Sequence, residues 1–444
     1  MSAGITDESI GAGNPHRLRS MLVVCGTWLK VAWLMVGLML LYFVVLNVAA
    51  KLALMAVGEQ PVDRVFLKTV LTDAYGNAPW IEDYVKSDSL LRPRWHPYVY
   101  FLPAPLRTKY INIDDAGLRS TWNQAEAKHH SGKRPVRIFM FGGSTMWGYG
   151  ARDDYTIPSR LSAILARRGI KDVEVTNFGQ IGYVSTQEAL ALFEQLREDN
   201  VPDIAVFYDG INDTFAAWQS GTPGIPDDEY NREHEFGLLD NWEGYDSDRV
   251  VYVYRYVKYE VPVLVLQSPL GRTLKDIAKA CCGRFYQLFR VSVLKGIDNP
   301  LDSMSSNEST PAGLPRKVVD YYLSNLRLVN ESGKQLGFET LAYWQPTVYS
   351  REDVYPSERK YAQPWPGEEE FFVATYRYAR AAANRAAVDH RLPLQDLSGA
   401  LNGVGRPCFF DDLHITETCN ELIAARIAAD VIPLIEKRSE VQNH

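Results

Sequence analysis

From Val136 onward, short apolar runs alternate with longer segments in which apolar residues recur at helical spacing. The apolar runs predict buried strands at 136–141, 173–177, 204–208, 339–344 and 392–397. The segments between and after them predict helices at 158–168, 187–198, 317–336, 368–387 and 417–436. This alternation predicts an α/β fold with a mainly parallel sheet and helices on both faces. Functional residues are then expected at the carboxyl ends of the strands.

A long apolar run near the N-terminus has a different character. Residues 31–50 contain no charge, and Asn47 is the one strongly polar side chain among them. About 20 apolar residues match the hydrocarbon thickness of a bilayer, and Lys30 and Lys51 bracket the run. We therefore predict an uncleaved transmembrane signal anchor over 28–55. A buried core helix and a cleaved signal peptide are the alternatives. Basic residues on the two flanks are nearly balanced, so they do not decide the orientation.

The remaining pattern predicts three further regions. Residues 1–27 are polar at their start and are expected to form a disordered cytoplasmic tail. Residues 56–132 are rich in proline and aromatic residues and form a juxtamembrane region. The catalytic domain is expected at 133–437, and its α/β rhythm is interrupted at 216–314. We interpret that interruption as an insertion, a candidate lid or substrate surface over the active-site face.

Composition excludes one class of partner. The 444 residues are 46% hydrophobic and 23% charged, as expected for a chain that is mostly folded and globular. The net charge of −7, without a long basic run, argues against nucleic-acid binding. The 25 Tyr and 10 Trp side chains include rings that could stack on sugars, although core packing is the commoner use of such rings. Nothing in the composition indicates an oligomeric state.

Two of the five cysteines suggest a compartment. Cys408 and Cys419 lie 11 residues apart and are a candidate disulfide. Such a bond persists only in an oxidising environment, so it would place most of the chain outside the cytoplasm. Two separate buried thiols are the alternative. Cys281 and Cys282 lack a partner pattern for zinc, and no metal or other cofactor is predicted.

The candidate nucleophile is Ser144, which follows Gly142 and Gly143 directly after the first predicted strand. A serine hydroxyl needs a base to take its proton. His414 is the candidate base, and Asp411, three residues earlier, could accept from its other ring nitrogen. Each motif has a simpler explanation, since a Gly-Gly-Ser is most often a plain turn and an Asp before a surface His can be a helix cap.

Donors for a developing oxyanion can be found in the same way. The backbone N–H groups of Ser144 and Gly182 and the side-chain amide of Asn212 follow three successive predicted strands. Donors that point to the position of developing negative charge stabilise the transition state of acyl transfer. These three residues are the predicted oxyanion hole.

The motifs at 141–145, 177–182, 210–213 and 411–414 together resemble the four blocks of the SGNH/GDSL hydrolase family. In the first block Gly-Gly-Ser-Thr stands where the family has Gly-Asp-Ser-Leu. The resemblance covers about residues 134–437, with 216–314 as a departure. It implies a flavodoxin-like three-layer α/β/α fold and a Ser-His-Asp mechanism directed at esters without a metal.

Three functions are compatible with these residues. The first is a single-pass membrane-anchored serine esterase that hydrolyses an acyl ester, with acetyl as the expected group, through an acyl-enzyme. The second is an O-acyltransferase that modifies an exopolysaccharide or a cell-wall glycan. The third is a non-catalytic glycan-binding or assembly protein that has kept the fold. The expected partners are an acyl ester, a carbohydrate as its candidate alcohol, and the lipid bilayer. The catalytic domain is expected outside the cytoplasm, which is the periplasm if the cell is Gram-negative.

Overall fold

The structure, a computed structural model, describes residues 15–57, 62–124, 134–226, 313–361, 367–389 and 391–442. Most of the predicted insertion, 227–312, lies outside the described residues, and so does the start of the predicted tail. The chain divides into two compact units. The first described helix belongs to one unit, and every other element below belongs to the other, Pro61–Glu243 with Asn299–His444.

Helix α1 spans Pro15–Val57. Within it, the 23-residue segment Thr27–Ala49 has a mean hydropathy of 2.3 and buries none of its most apolar window, so it is long and apolar enough to cross a membrane. The prediction of disorder is wrong for residues 15–27, which form the first turns of α1. Leucine, arginine and methionine are frequent there and favour a helix, and no proline or glycine pair separates them from the apolar run.

Residues 62–124 form small elements within the second unit. They are α2 (Val62–Tyr75), α3 (Ile81–Asp88), β1 (Pro93–His96), β2 (Tyr100–Pro103), β3 (Leu106–Arg107) and β4 (Asn112–Ile113). Strands β1 and β2 form an antiparallel hairpin, as do β3 and β4. Apolar residues of α2 and α3 share a buried cluster with Trp147 and Phe410. The predicted juxtamembrane region therefore contacts the chain just after Ser144 and just before Asp411.

The central sheet contains β5 (Val136–Gly142), β6 (Val173–Asn177), β7 (Ile204–Asp209), β8 (Glu339–Trp344) and β9 (Leu394–Asp396). Its order is β6-β5-β7-β8-β9, and all neighbouring strands are parallel. This is the flavodoxin-like 2-1-3-4-5 order of a doubly wound sheet. The predicted fold class is confirmed, and all five predicted strands are present.

The helices of this unit follow the predicted rhythm. They are α4 (Ser144–Trp147), α5 (Ile157–Arg167), α6 (Ser185–Arg197), α7 (Ile211–Ser220), α8 (Leu314–Leu336), α9 (Pro356–Tyr361), α10 (Glu368–Asp389) and α11 (Glu417–Gln442). The five predicted helices correspond to α5, α6, α8, α10 and α11. Helix α7 was not predicted, and it continues into the first residues of the region interpreted as an insertion.

Alternate side chains of the three inner strands enter two separate cores, as the two-residue period of a strand requires. Ile138 and Met140 of β5 pack in one cluster with residues of α5 and α11. Phe139 and Phe141 pack in the other with residues of α6, α8 and α10. Every residue of β7 is buried. The sheet is thus covered on both faces, and its carboxyl edge is left to carry a site.

Candidate active site

Ser144 lies where β5 passes into α4. The strand ends at Gly142, Gly143 takes the N-cap position, and Ser144 is the first helical residue, with 6% of its surface exposed. Gly143 has a specific reason to be glycine, because a Cβ added there would overlap the side-chain amide of Asn212. A side chain at position 143 would therefore require the end of the Asn212 side chain to move.

The structure brings Ser144, His414 and Asp411 into one hydrogen-bonded chain. His414 Nε2 lies 2.7 Å from Ser144 Oγ, and His414 Nδ1 lies 2.7 Å from Asp411 Oδ2. Asp411 Oδ1 accepts from the backbone N–H groups of Leu413 (3.0 Å) and His414 (2.6 Å), which closes a tight turn. Residues 270 positions apart along the chain therefore meet at the carboxyl edge of the sheet.

The partners determine the tautomer of His414. An ionised carboxylate only accepts, so Nδ1 carries the proton and donates to Asp411. Nε2 is then left to accept from the Ser144 hydroxyl, which is the arrangement that a general base requires. The imidazole packs against Tyr149 and Phe410, with ring centroids 4.7 Å and 5.7 Å away. These rings restrict its rotation and keep most of it from water.

The predicted oxyanion donors lie around Asn212. Its Nδ2 donates to the Tyr183 carbonyl at 2.7 Å and lies against Gly143, so Asn212 sits between the residues next to Ser144 and Gly182. A primary amide has two hydrogens, and the bond to Tyr183 uses one of them. Gly182 adopts a left-handed φ of 79° that favours glycine. Among the described residues, the N–H groups of Ser144 and Gly182 donate to no protein acceptor.

Arg119 supports the segment after Ser144 and was not recognised from the sequence. Its fully buried guanidinium donates to the carbonyls of Trp147 (3.2 Å), Gly148 (2.7 Å) and Ala151 (2.6 Å). It also pairs with Asp153 Oδ1 at 2.9 Å. Burial raises the pKa of the Asp153 carboxyl, and the charge of Arg119 partly offsets that rise. A buried arginine needs such partners. Every residue has a backbone carbonyl, so these partners cannot be identified from the sequence.

The loop before Asp411 has two supports. Cys408 and Cys419 form a disulfide with Cα atoms 5.6 Å apart, so the loop is joined to the first turn of α11. Glu358 of α9, which is fully buried, accepts from the backbone N–H groups of Cys408 (2.7 Å) and Phe409 (3.0 Å). It also pairs with Arg351 at 2.6 Å. The position of the loop thus depends on groups from two other elements.

Removing the disulfide is expected to destabilise the chain. Replacing Cys408 and Cys419 together with alanine should lower the free energy of unfolding by about 2–3 kcal/mol, because a closed loop of this size restricts the unfolded chain. Urea unfolding of the purified chain in detergent, followed by tryptophan fluorescence, would measure the difference. Intact-mass analysis of exported protein provides the control, and two unmodified thiols there would contradict the bond.

Three carboxyl groups are buried together behind the Gly182 loop. Asp213, next to Asn212, accepts from both the backbone N–H and the hydroxyl of Ser185, while Asp209 accepts from Tyr322. Among the described residues no basic side chain pairs with Asp209, Asp213 or their neighbour Glu188. Burial raises the pKa of Asp209 to about 7, and burial together with the charge of Asp209 raises that of Glu188 well above its usual range. The cluster therefore holds protons near neutral pH.

This cluster predicts a pH dependence of stability. The folded-state pKa of Asp209, about 7, is above the value of about 4 for an unfolded aspartate. Protonated Asp209 therefore contributes its full stabilisation of the folded state below pH 4, and this contribution is lost as the pH rises through 7. Asp209→Asn cannot ionise, so its free energy of unfolding should fall less steeply from pH 4 to 8 than that of the wild type. Exposed Asp115→Asn is the control in urea titrations, and equal slopes for all three proteins would contradict the assignment.

No group of three or more His, Cys, Asp or Glu side chains is arranged to hold a metal ion within the part of the chain that the structure describes. The groups that meet at the carboxyl edge are instead a hydroxyl, an imidazole, a carboxylate and amide donors. This set matches nucleophilic acyl transfer.

The strand order and the sequence of motif residues along it agree with what the resemblance to the SGNH family implies. Ser144 follows the first strand of the sheet in chain order, Gly182 the second, Asn212 the third, and Asp411 and His414 the last. The chain has the fold of an SGNH hydrolase. No protein-family model matches the chain, and no curated protein matches it either.

Solved structures similar to this SGNH fold share little sequence with it. A member of the lipolytic protein G-D-S-L family from Veillonella parvula is 12% identical, covering 65% of this chain and 94% of its own, with a TM-score of 0.33. An acetyl xylan esterase is 12% identical, covering 67% and 100%, with a TM-score of 0.32. A catalytic mutant of an acetylxylan esterase from Geobacillus stearothermophilus is 12% identical, covering 68% and 94%, with a TM-score of 0.32.

Proposed function

We propose that the chain is a membrane-anchored serine esterase of the SGNH type, with Ser144 as nucleophile, His414 as base and Asp411 as its orienting partner. The observation that carries the proposal is the continuous hydrogen-bonded chain from Ser144 Oγ through both ring nitrogens of His414 to Asp411, with both joining distances at 2.7 Å. Hydrogen bonds of this length allow the serine proton to move as the nucleophile attacks.

In the first half-reaction, Ser144 Oγ attacks the acyl carbon of an ester while its proton passes to His414 Nε2. The carbonyl π electrons move to the oxygen, which accepts from the N–H groups of Ser144 and Gly182 and from the second hydrogen of the Asn212 amide. Asp411 stabilises the imidazolium. When the tetrahedral intermediate collapses, the C–O bond to the alcohol breaks and His414 gives its proton to the leaving oxygen.

In the second half-reaction, water attacks the acyl-Ser144 ester as His414 takes one of its protons. Collapse of the second tetrahedral intermediate breaks the bond to Oγ, and His414 returns the proton to Ser144. The products are the alcohol and the carboxylic acid, and the residues regain their starting states. If a sugar hydroxyl attacks instead of water, the same steps give acyl transfer.

In the proposed cellular arrangement, residues up to about 27 form a cytoplasmic tail and residues 28–55 form a bilayer anchor. Residues 56–132 pack against the active-site loops, and residues 133–437 form the catalytic domain. The apolar segment of α1 supports the anchor. The disulfide between Cys408 and Cys419 supports an extracytoplasmic catalytic domain, because reducing compartments do not maintain such bonds.

The test is turnover by the full chain purified in detergent. p-Nitrophenyl acetate is incubated with the protein alone, and then with a bare polysaccharide added. We expect release of nitrophenol and covalent labelling by a serine-directed fluorophosphonate. Acetate in solution supports the esterase, whereas acetate on the polysaccharide identifies a transferase. Absence of both release and labelling would contradict the proposal and favour a non-catalytic protein.

A further inference from the structure

The β1–β2 hairpin exposes two large aromatic side chains. Trp95 is 63% exposed and Tyr98 at the hairpin tip is 69% exposed. The ring of Trp95 stacks on that of Tyr100, with centroids 6.1 Å apart and planes 18° apart. Large exposed aromatic surfaces of this kind on a folded protein commonly mark a binding site.

The tip of the hairpin is held in an unfavourable backbone conformation. Val99 N donates to Pro97 O at 2.8 Å across a three-residue turn, with Tyr98 in its centre at a φ of 64°. Tyr100 has a φ of 74°. Left-handed φ values are rare for bulky residues, and turns of this type are strained. Glycine would relieve the strain at position 98. We therefore expect the tyrosine found there to have a function that depends on its ring.

The hairpin is attached to the loop that carries Gly182. The Tyr183 hydroxyl donates to the carbonyl of Phe101, and the rings of these two residues pack edge to face at 5.4 Å. Gln187 Nε2 donates to the Val99 carbonyl at 2.9 Å. Tyr183 in turn accepts from Asn212 through its own carbonyl. The hairpin is thus linked through Tyr183 to the loop of Gly182 and to Asn212.

We propose that the β1–β2 hairpin is a carbohydrate subsite, in which Trp95 and Tyr98 stack on pyranose rings of a glycan that carries the ester. This inference rests on the proposed esterase for its place in a reaction, but not for its binding test. The C–H-bearing face of a pyranose fits a flat, exposed aromatic ring. The neighbouring pair of His96 and Glu194, 3.2 Å apart and half-buried, offers donors and acceptors for hydroxyl groups at the edge of the rings.

A lipid surface is the other ligand that Trp and Tyr side chains commonly meet. The composition of the hairpin favours the glycan. Segments that insert into an interface normally add aliphatic side chains to their aromatic ones. Within Pro93–Pro103 the exposed residues are proline, arginine, tryptophan and tyrosine, while Val99 is buried and Leu102 is half-buried. The exposed face is thus aromatic and polar, without the aliphatic surface that a bilayer would take up.

The binding test uses the full chain in detergent with Ser144→Ala, so that no ester is consumed. Partially O-acetylated xylohexaose and cellohexaose are titrated by isothermal titration calorimetry, which does not depend on Trp95 as a reporter. Trp95→Ala and Tyr98→Ala are each expected to weaken binding about 5- to 10-fold, the size expected for the loss of one stacked ring. Tyr378→Ala removes a tyrosine that is 43% exposed on α10 and should leave the affinity unchanged. Equal affinities in all variants, or no binding by the parent, would overturn the subsite.

Tyr98→Gly separates a binding role from a structural one. It should raise the midpoint of thermal unfolding, because glycine tolerates the left-handed turn, and yet weaken hexaose binding as Tyr98→Ala does. Retained affinity in this variant would count against the proposal. The contribution of Trp95 to the fluorescence is the part that Trp95→Phe removes. If brominated phosphatidylcholine in nanodiscs quenches that part, the Trp95 ring lies in lipid and the subsite proposal is overturned. Because hexaose binding needs no turnover, failure of the esterase and failure of the subsite remain distinguishable.

Discussion

Ser144→Ala should lower kcat for p-nitrophenyl acetate about 10³-fold or more, since the variant has no oxygen to form the acyl-enzyme. His414→Ala should cause a loss of similar size, because the hydroxyl then has no base. The double variant should lose little beyond either single variant, since the two side chains act as one unit. Initial rates under saturating substrate, together with fluorophosphonate labelling, would measure all three.

Controls for these variants are available on the same chain. Ser332→Ala removes a hydroxyl from the exposed face of α8, far along the chain from Ser144, and should keep the wild-type rate. Thermal unfolding of Ser144→Ala should resemble that of the wild type, because only one oxygen is lost. Rates unchanged in either Ser144→Ala or His414→Ala would remove the proposed mechanism.

Glu358→Gln is expected to have the largest effect on stability. The carboxylate accepts from Arg351 and from the backbone N–H groups of Tyr355, Cys408 and Phe409. An amide in its place directs its own hydrogens at some of these donors and leaves the Arg351 charge buried without its partner. Breaking a buried pair in this way typically costs about 3–5 kcal/mol. Urea unfolding at pH 7 would measure the loss.

Glu421→Gln is the matched control for that change. Glu421 also pairs with arginines, Arg160 at 2.6 Å and Arg167 at 2.8 Å, but its side chain is 41% exposed. Exposed pairs are screened by water and contribute roughly 0–1 kcal/mol. Similar losses for Glu358→Gln and Glu421→Gln would show that burial does not set the energy of the first pair. A stable Glu358→Gln with reduced turnover would instead indicate that the loop moves without unfolding.

The parallel sheet was predictable because each strand is a short apolar run between helical segments, a pattern that depends on local sequence alone. The positions of Ser144, Asn212 and His414 at the carboxyl edge followed from that pattern and from the motifs. Their mutual distances did not, since they depend on turns such as the one that Asp411 closes with its own backbone.

The buried side chains that hold the active-site loops in place could not be predicted from the sequence, for a physical reason. Arg119 binds carbonyl oxygens, and Glu358 binds backbone N–H groups, so their partners have no residue type that could be read from a motif. Helices α2 and α3 were not predicted, because proline and aromatic residues are frequent in the juxtamembrane region around them. Their apolar faces become meaningful only when Trp147 and Phe410 are known to lie against them.

A side chain at position 143 would overlap the Asn212 amide, so substitutions at these two positions affect each other. An aspartate at position 143, as in the Gly-Asp-Ser-Leu motif, would overlap the Asn212 amide unless that amide shifts from its place beside the nucleophile. The two positions are therefore expected to be coupled: the effect of a substitution at position 143 should depend on whether the Asn212 side chain can move. Libraries that vary both positions together should therefore recover active combinations that substitutions at one position alone miss.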